Sequence, residues 1–366
     1  MEVASVERPR AFDKVGWICL PLVVAVASRI FSALLLLTFA NQATGLPLLT
    51  PYLSPFVAYD GQWYLHIAAT GYHATALQAA ALAGGHHDFA FYPGWPLLIR
   101  IVSLNALLPI DLTAVMLANF LFVLAAIAVY RLFADRFGDR AALWGILLLC
   151  FNPTAYVFSM AYTEGLFILI AALYFLSRYG RTSPVLAAVS VLTRVSGLAI
   201  AASAAVMFVV GRAPRVRLAL ICVAVAGAFA AWWIYIWQLT GNFMGWLDGS
   251  ASWSKYTSIT AIARDLVLDT PAEVARLAFI VLMILGCLLL LRRHLDLAIY
   301  GLVAIAMTLI GAPAGSMPRH AMVAFPAFGA IAYRLGPRLS AALLVCFVVA
   351  EVFFIMFAFG PGRQPP

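Results

Sequence analysis

Runs of about twenty apolar residues recur along most of this chain, as over 16–40, 217–239 and 339–359. About 20 residues in a helix span roughly 30 Å, the thickness of a bilayer's hydrocarbon core. Inside that core every backbone amide must find its partner within the protein, so only helices and closed barrels can cross. Barrel strands read as short alternating segments, which these continuous runs are not. With 64% hydrophobic and only 10% charged residues among 366, too few polar side chains remain to cover a water-facing surface. The expected fold class is an all-α polytopic membrane protein.

Apolar stretches at 16–40, 111–131, 142–159, 163–177, 183–194, 196–211, 217–239, 276–291, 297–312, 321–334 and 339–359 predict about eleven transmembrane helices. Basic residues then sort into alternate connections. They are Arg8, Arg10 and Lys14; Arg131, Arg136 and Arg140; Arg178 and Arg181; Arg212, Arg215 and Arg217; Arg292 and Arg293; Arg334 and Arg338. The positive-inside rule makes these loops and the N-terminus cytoplasmic and turns the other connections outward. The expected location is a multi-pass place in the plasma membrane. The net charge of +8 follows the same loop bias, and no basic block is long enough to bind nucleic acid.

The five cysteines, Cys19, Cys150, Cys222, Cys287 and Cys346, all fall in apolar runs and read as small buried hydrophobes. The first run is too long for a signal-peptide core and reads as a true span. One membrane domain over 1–366 is expected, with long outward loops at about 41–110 and 240–275. The aromatic, twice proline-broken stretch 89–100 predicts a short helix lying in the interface. In the second loop Trp246, Trp253, Lys255 and Tyr256 suit an interfacial aromatic belt.

The sharpest polar feature follows the first span: Tyr59-Asp60-Gly61-Gln62-Trp63-Tyr64-Leu65-His66, then Gly71-Tyr72. A carboxylate half-buried among aromatics has a raised pKa and suits a general base, which makes Asp60 the catalytic candidate. The other reading is an acid that caps a short helix. Trp63, Tyr64 and His66 are candidates to orient substrate, and Tyr92 belongs to an aromatic stretch that would guide a lipid tail or cover the site. Glu164 reads as a group that holds a substrate hydroxyl or a catalytic arginine, or as a dipole partner beside an N-capping Thr163. Arg194 interrupts an apolar run within Thr193-Arg194-Val195-Ser196-Gly197, and a charge at such a break either serves function or snorkels to the interface. Arg319-His320 is a cationic pair that either grips a lipid phosphate or simply anchors the chain at the outer interface. Arg29 and Glu351 lie inside spans, so each must face protein or water. His66, His73, His86, His87 and Asp88 crowd the first outward loop, but their spacing fits no tight zinc pattern. No metal or other cofactor is expected, with a divalent ion left open.

At these residues the chain resembles the GPI mannosyltransferase 2 (PIG-V-like) family. Asp60 with Tyr64 and Gly71-Tyr72, then Phe89-Ala90-Phe91-Tyr92-Pro93-Gly94-Trp95-Pro96-Leu97, is similar to the family's early motifs. Asn152-Pro153, Tyr162-Thr163-Glu164-Gly165-Leu166-Phe167 and Arg194-Val195-Ser196-Gly197 follow in the family's order, and Met317-Pro318-Arg319-His320 is a looser counterpart of a basic motif. Tyr59 stands where eukaryotic members have Trp, and Val195-Ser196 where they have Ser-Asn. The resemblance implies a GT-C fold. It also implies a polyprenyl-phosphate sugar donor, mannose as the sugar, and inverting transfer to an acceptor hydroxyl on the non-cytoplasmic side. Asp60 occupies the position of the family's catalytic acid. Arg194, or Arg319 with His320, would steady the departing phosphate. The acceptor, whether lipid-linked, glycan or protein, stays open. The rival readings are a transporter or lipid flippase, against which no inverted repeat is found, and a non-catalytic subunit of a transferase complex.

Overall fold

The structure, a computed structural model, describes residues 13–39, 51–76, 86–251, 253, 271–311 and 316–359. Lys255 and Tyr256 of the expected aromatic belt lie outside these residues. The main helices are α1 (Asp13–Phe39), α2 (Asp60–Thr70), α3 (Gly94–Val102), α4 (Ile110–Phe137), α5 (Asp139–Cys150), α6 (Glu164–Leu176), α7 (Ser183–Thr193) and α8 (Leu198–Val209). They continue with α9 (Arg215–Thr240), α10 (Gly245–Ala251), α11 (Pro271–Leu290), α12 (Leu295–Gly311), α13 (Met317–Ala321) and α14 (Pro326–Phe359).

Among the described residues, five helices are long and apolar enough to cross a bilayer: 17–39 in α1, α4, α9, 273–290 in α11, and α14. This is a multi-pass membrane protein. Four shorter apolar helices, α6, α7, α12 and the stretch 195–209 that contains α8, fill out the bundle, so among the described residues five of the drawn runs are full-length helices and the count of eleven is not confirmed. The run drawn at 142–159 is not one of the five. Helix α5 stops at Cys150, and a 3-10 turn follows at Ala155–Ser159. The cause is Asn152-Pro153: the Asn152 carboxamide oxygen accepts from the Thr154 amide at 2.9 Å and closes a side-chain turn in place of the helix. The last two runs meet in α14, where Gly336 takes φ 71° and ψ 178° ahead of Pro337 and kinks the helix. The expected interfacial helix is α3, nine residues long, with Trp95 and Ile99 buried and Leu97 and Ile101 exposed.

Helix α4 lies at the centre, against α1, α5 and α6; α14 packs on α5 and α11, while α9 packs on α7 and α8. Small residues set how closely these helices approach, as expected where lipid supplies no hydrophobic drive for helix association. A Cβ on Gly145 of α5 would come within 3.1 Å of Gly329 Cα in α14. One on Gly165 of α6 would lie 3.2 Å from the Phe122 backbone nitrogen in α4. Polar side chains add ties inside the bundle. Arg29 donates to the carbonyl of Ala155 at 2.7 Å and to Ser159 Oγ at 3.1 Å, with its guanidinium 4.5 Å from the centre of the Phe122 ring. It also contacts Ser32, whose hydroxyl donates to Glu351 Oε1 at 2.6 Å. Arg29 and Glu351 are thus joined through a serine, and α1 is fastened to α14.

Candidate active site

The candidate site forms where the N-terminal ends of α2 and α6, the break between α7 and α8, and the short helix α13 converge. Tyr59 sits at φ 55°, in the left-handed region that non-glycine residues rarely enter. Its phenol is anchored to the carbonyl of Ala358. The chain therefore turns sharply into α2, and Asp60 becomes the first helical residue. Arg194 adopts an extended conformation (φ −154°, ψ 149°) between α7 and the 3-10 turn Val195–Gly197. That turn is tight enough that a Cβ on Gly197 would lie 2.4 Å from the Val191 nitrogen.

Asp60 Oδ2 lies 2.6 Å from Arg319 Nη2. Arg319 Nε is 3.6 Å from Glu164 Oε1, and the same carboxylate oxygen accepts from Arg194 Nη1 at 2.7 Å. Arg194 Nη1 also donates to Thr163 Oγ1 at 2.7 Å, so Thr163 binds the arginine instead of capping α6. Arg194 is not at an interface with its charge in water; its side chain is 9% exposed. His320 bridges the two arginines, with Nδ1 2.6 Å from Arg194 Nη2 and Nε2 2.9 Å from Arg319 Nη2. Arg319 also lies over the Tyr162 ring, 4.8 Å from its centre.

The electrostatics follow from this layout. Two carboxylates face two guanidiniums, so the cluster is neutral as it stands. Burial opposes the charge on Arg319, but Asp60 and Glu164 outweigh it and hold its pKa above the usual range. Burial, then the two arginines, push His320 well below the ordinary histidine value, so the imidazole is neutral. A neutral imidazole has one accepting nitrogen. It therefore accepts from only one of its two guanidiniums, and the other keeps donors to spare. Exposure is uneven as well: the Glu164 side chain is 1% exposed and that of Arg319 5%, whereas Asp60 is 26% exposed and forms the open edge.

The structure brings Asp60, Tyr64, Glu164, Arg194, Arg319 and His320 together. Tyr64 borders the cluster, with burial the main cause of its raised pKa and Arg194, Asp60, Glu164 and Thr163 around it. Trp63, His66 and Tyr92 lie elsewhere. Trp63 stacks on Phe91 and meets Trp253 edge-on. His66 stacks on His73, 5.1 Å between ring centres, and burial lowers its pKa. Tyr92 is buried beside Trp232 and Trp246. His73 Nδ1 lies 2.8 Å from Asp88 Oδ2, while His86 stacks on Trp253. Among the described residues, no three His, Cys, Asp or Glu side chains converge as metal ligands. The aromatic surroundings read from the sequence leave out the partner of Asp60, the Arg319 guanidinium. Sequence reasoning missed Tyr162 as a wall of the site, although it lies two residues before Glu164.

A family model described as mannosyltransferase (PIG-V) matches residues 24–213, just over half of the chain. The chain belongs to that family. The match takes in Asp60, Tyr64, Glu164 and Arg194 but stops short of Arg319 and His320, whose place in the site comes from the geometry alone. GPI mannosyltransferase 2 of Drosophila pseudoobscura pseudoobscura is 33% identical over 127 residues, which are 31% of this chain and 25% of that protein. The match thus spans a quarter of this curated relative's length. Among solved structures, the Archaeoglobus fulgidus oligosaccharyltransferase in its apo form aligns with 92% of this chain and 56% of its own, at 13% identity and a TM-score of 0.51. The same archaeal enzyme in complex with an inhibitory peptide and a dolichol-phosphate aligns with 95% of this chain and 56% of its own, at 14% identity and a TM-score of 0.52. At that identity the likeness is one of fold, and the fold is of the GT-C type.

Proposed function

We propose that this protein is a membrane mannosyltransferase that moves mannose from a polyprenyl-phosphate donor to an acceptor hydroxyl, with inversion at the anomeric carbon. The observation that carries the reading is the half-open Asp60 carboxylate set against two buried arginines that share one neutral imidazole. A base and a phosphate grip within one cluster are the two parts that such a transfer needs. Family membership supports the sugar. The dolichol-phosphate seen with the archaeal neighbour supports a lipid phosphate as the leaving group.

In this mechanism the donor phosphate draws Arg319 away from Asp60 and takes up the spare donors of Arg319 and Arg194. Asp60, freed from its pair, accepts the proton of the acceptor hydroxyl. The acceptor oxygen attacks the anomeric carbon from the face opposite the phosphate. The bond from that carbon to the phosphate oxygen breaks, and the lipid phosphate leaves with the electron pair, its charge met by the two guanidiniums. No metal has a step in this scheme. Glu164 holds both arginines in place, and Tyr64 lines the acceptor side. On the topology read from the arginine-rich loops, this site faces away from the cytoplasm across the plasma membrane.

The test is Asp60→Asn in proteoliposomes of the purified protein with radiolabelled polyprenyl-phosphate mannose. Loss of a general base lowers transfer by about 100- to 10,000-fold, with donor binding retained. Transfer by Asp60→Asn at close to the wild-type rate would overturn Asp60 as the base. No transfer by the purified wild type, with membranes that hold its partners active, would favour a subunit role.

A further inference from the structure

We propose that a second site, at the end of the molecule opposite Asp60, binds a phosphate group. A cavity of about 430 Å³ opens there between the C-terminal ends of α6 and α8 and the start of α12. Three chain segments link it to the Asp60 cluster. Helix α6 begins at Glu164 and reaches the cavity at Tyr174; α8 follows the Arg194 break and reaches it at Met207; α12 leaves it at Leu295 and runs toward α13. Thirteen residues of α6, at about 1.5 Å each, put roughly 20 Å between the two ends. The cavity is thus separate from the Asp60 cluster, and the proposed transfer makes no use of it.

Its chemistry points to an anion. The lining holds four guanidiniums, those of Arg136, Arg178, Arg212 and Arg293, against the single carboxylate of Asp296. Arg136 spends its charge on Asp296, with contacts of 2.9 and 3.4 Å. Arg178 reaches Asp135 at 3.5 Å from a side chain that is 70% exposed. Arg212 and Arg293 have no carboxylate partner among the described residues; Arg293 has only the Tyr333 hydroxyl at 3.4 Å. Four guanidiniums against Asp296 give the lining a charge of +3, which Asp135 reduces to +2, around a space large enough for a headgroup-sized ligand.

A second and independent observation comes from two phenols. Tyr174 is 1% exposed, lines the cavity, and its hydroxyl has no hydrogen-bond partner. The buried hydroxyl of Tyr179, in the same lining, has none either. A buried donor without an acceptor costs about 1–3 kcal/mol. Here two such donors border a surplus of positive charge, and a phosphate oxygen is an acceptor of the kind they lack. The backbone at this point is also held in an uncommon form. Arg178 and Tyr179 take φ of 47° and 62° in succession, and Arg217 Nη1 fixes the Tyr179 carbonyl at 3.1 Å.

Phosphate chemistry has two sources at this place, the headgroup of an anionic phospholipid and a free phosphate. The test uses the full chain in phosphatidylcholine nanodiscs, with Arg319→Gln introduced to silence the Asp60 end, and measures inorganic phosphate binding by equilibrium dialysis. Saturable binding is expected. It should weaken by tenfold or more on adding Arg212→Gln with Arg293→Gln, which are exposed and spare the core. Tyr174→Phe should weaken it by a smaller factor. If phosphatidic acid in the disc displaces the phosphate, the occupant is a lipid headgroup; if it does not, the occupant is a free phosphate. Absence of saturable binding, or binding unchanged by the arginine substitutions, overturns the site. Neither outcome bears on Asp60 as a base.

Discussion

Replacing Glu164 by glutamine isolates the electrostatic part of the candidate site. The side chain keeps its shape and an accepting oxygen but loses its charge. In the native protein, Glu164 Oε1 lies 2.7 Å from Arg194 Nη1 and 3.6 Å from Arg319 Nε, and all three side chains are nearly inaccessible to water. Removing one partner from a buried ion pair costs about 3–5 kcal/mol, because the remaining charge stays buried. Asp60 still balances Arg319, so one guanidinium is left uncompensated and the lower end applies, about 3 kcal/mol. Equilibrium unfolding in mixed SDS micelles reads this directly. A double-mutant cycle adds the second half of the reasoning. Glu164→Gln with Arg194→Met removes both charges, so it should recover about 2 kcal/mol relative to the sum of the single changes. A cost below about 1 kcal/mol for Glu164→Gln, with strictly additive double-mutant behaviour, would refute the view that these charges are buried and coupled.

Three further outcomes follow from the same structure. His320 has its pKa pushed below the unfolded value, so the unfolded chain takes up its proton first as pH falls. Its contribution to stability is present above about pH 6.5 and is lost as pH falls from there toward the folded pKa. His66 and His294 slope the same way, so the measurement is the difference between wild type and His320→Gln, which should flatten the pH dependence in micelle unfolding. Gly197→Ala forces a Cβ to within 2.4 Å of backbone that cannot swing aside. It should destabilise by about 2 kcal/mol or more, whereas Gly227→Ala, with open space around it, should be nearly neutral. Arg29→Met strips donors from the Ala155 carbonyl and Ser159, and should cost about 3 kcal/mol in the same assay.

The long helices were legible because hydropathy alone decides them: α1, α4 and α9 fall where apolar runs were drawn. Two features of the helix count were not. Asn152-Pro153 closes a turn that a run of apolar residues conceals, and Gly336-Pro337 joins the last two runs in one kinked helix. The site was half legible. In α2, Asp60 and Tyr64 are four residues apart and share a helix face, while His66, six residues on, points to the far side. Periodicity would have separated His66 from Asp60 had the segment been read as a helix. The contacts that join the two ends of the site could not be read in this way. Asp60 with Arg319, and Arg194 with His320, join residues far apart in the chain, and no local pattern encodes which ends of which helices converge.

If the proposed transfer is what this protein catalyses, the shortness of α6 has a consequence for what it can accept. Thirteen residues cover about 20 Å, a third less than the roughly 30 Å of hydrocarbon around them. At least one of its polar ends must therefore lie sunk beneath the level of the lipid headgroups, and tilt only deepens the recess. If the sunken end is the one that carries Glu164, both reactants meet at the bottom of a well. A donor's headgroup has then to be drawn down along its own tail. An acceptor hydroxyl qualifies by its reach, carried on something slender such as a glycolipid arm or an extended peptide, and a hydroxyl on the flank of a folded domain is excluded by depth before any contact tests its chemistry.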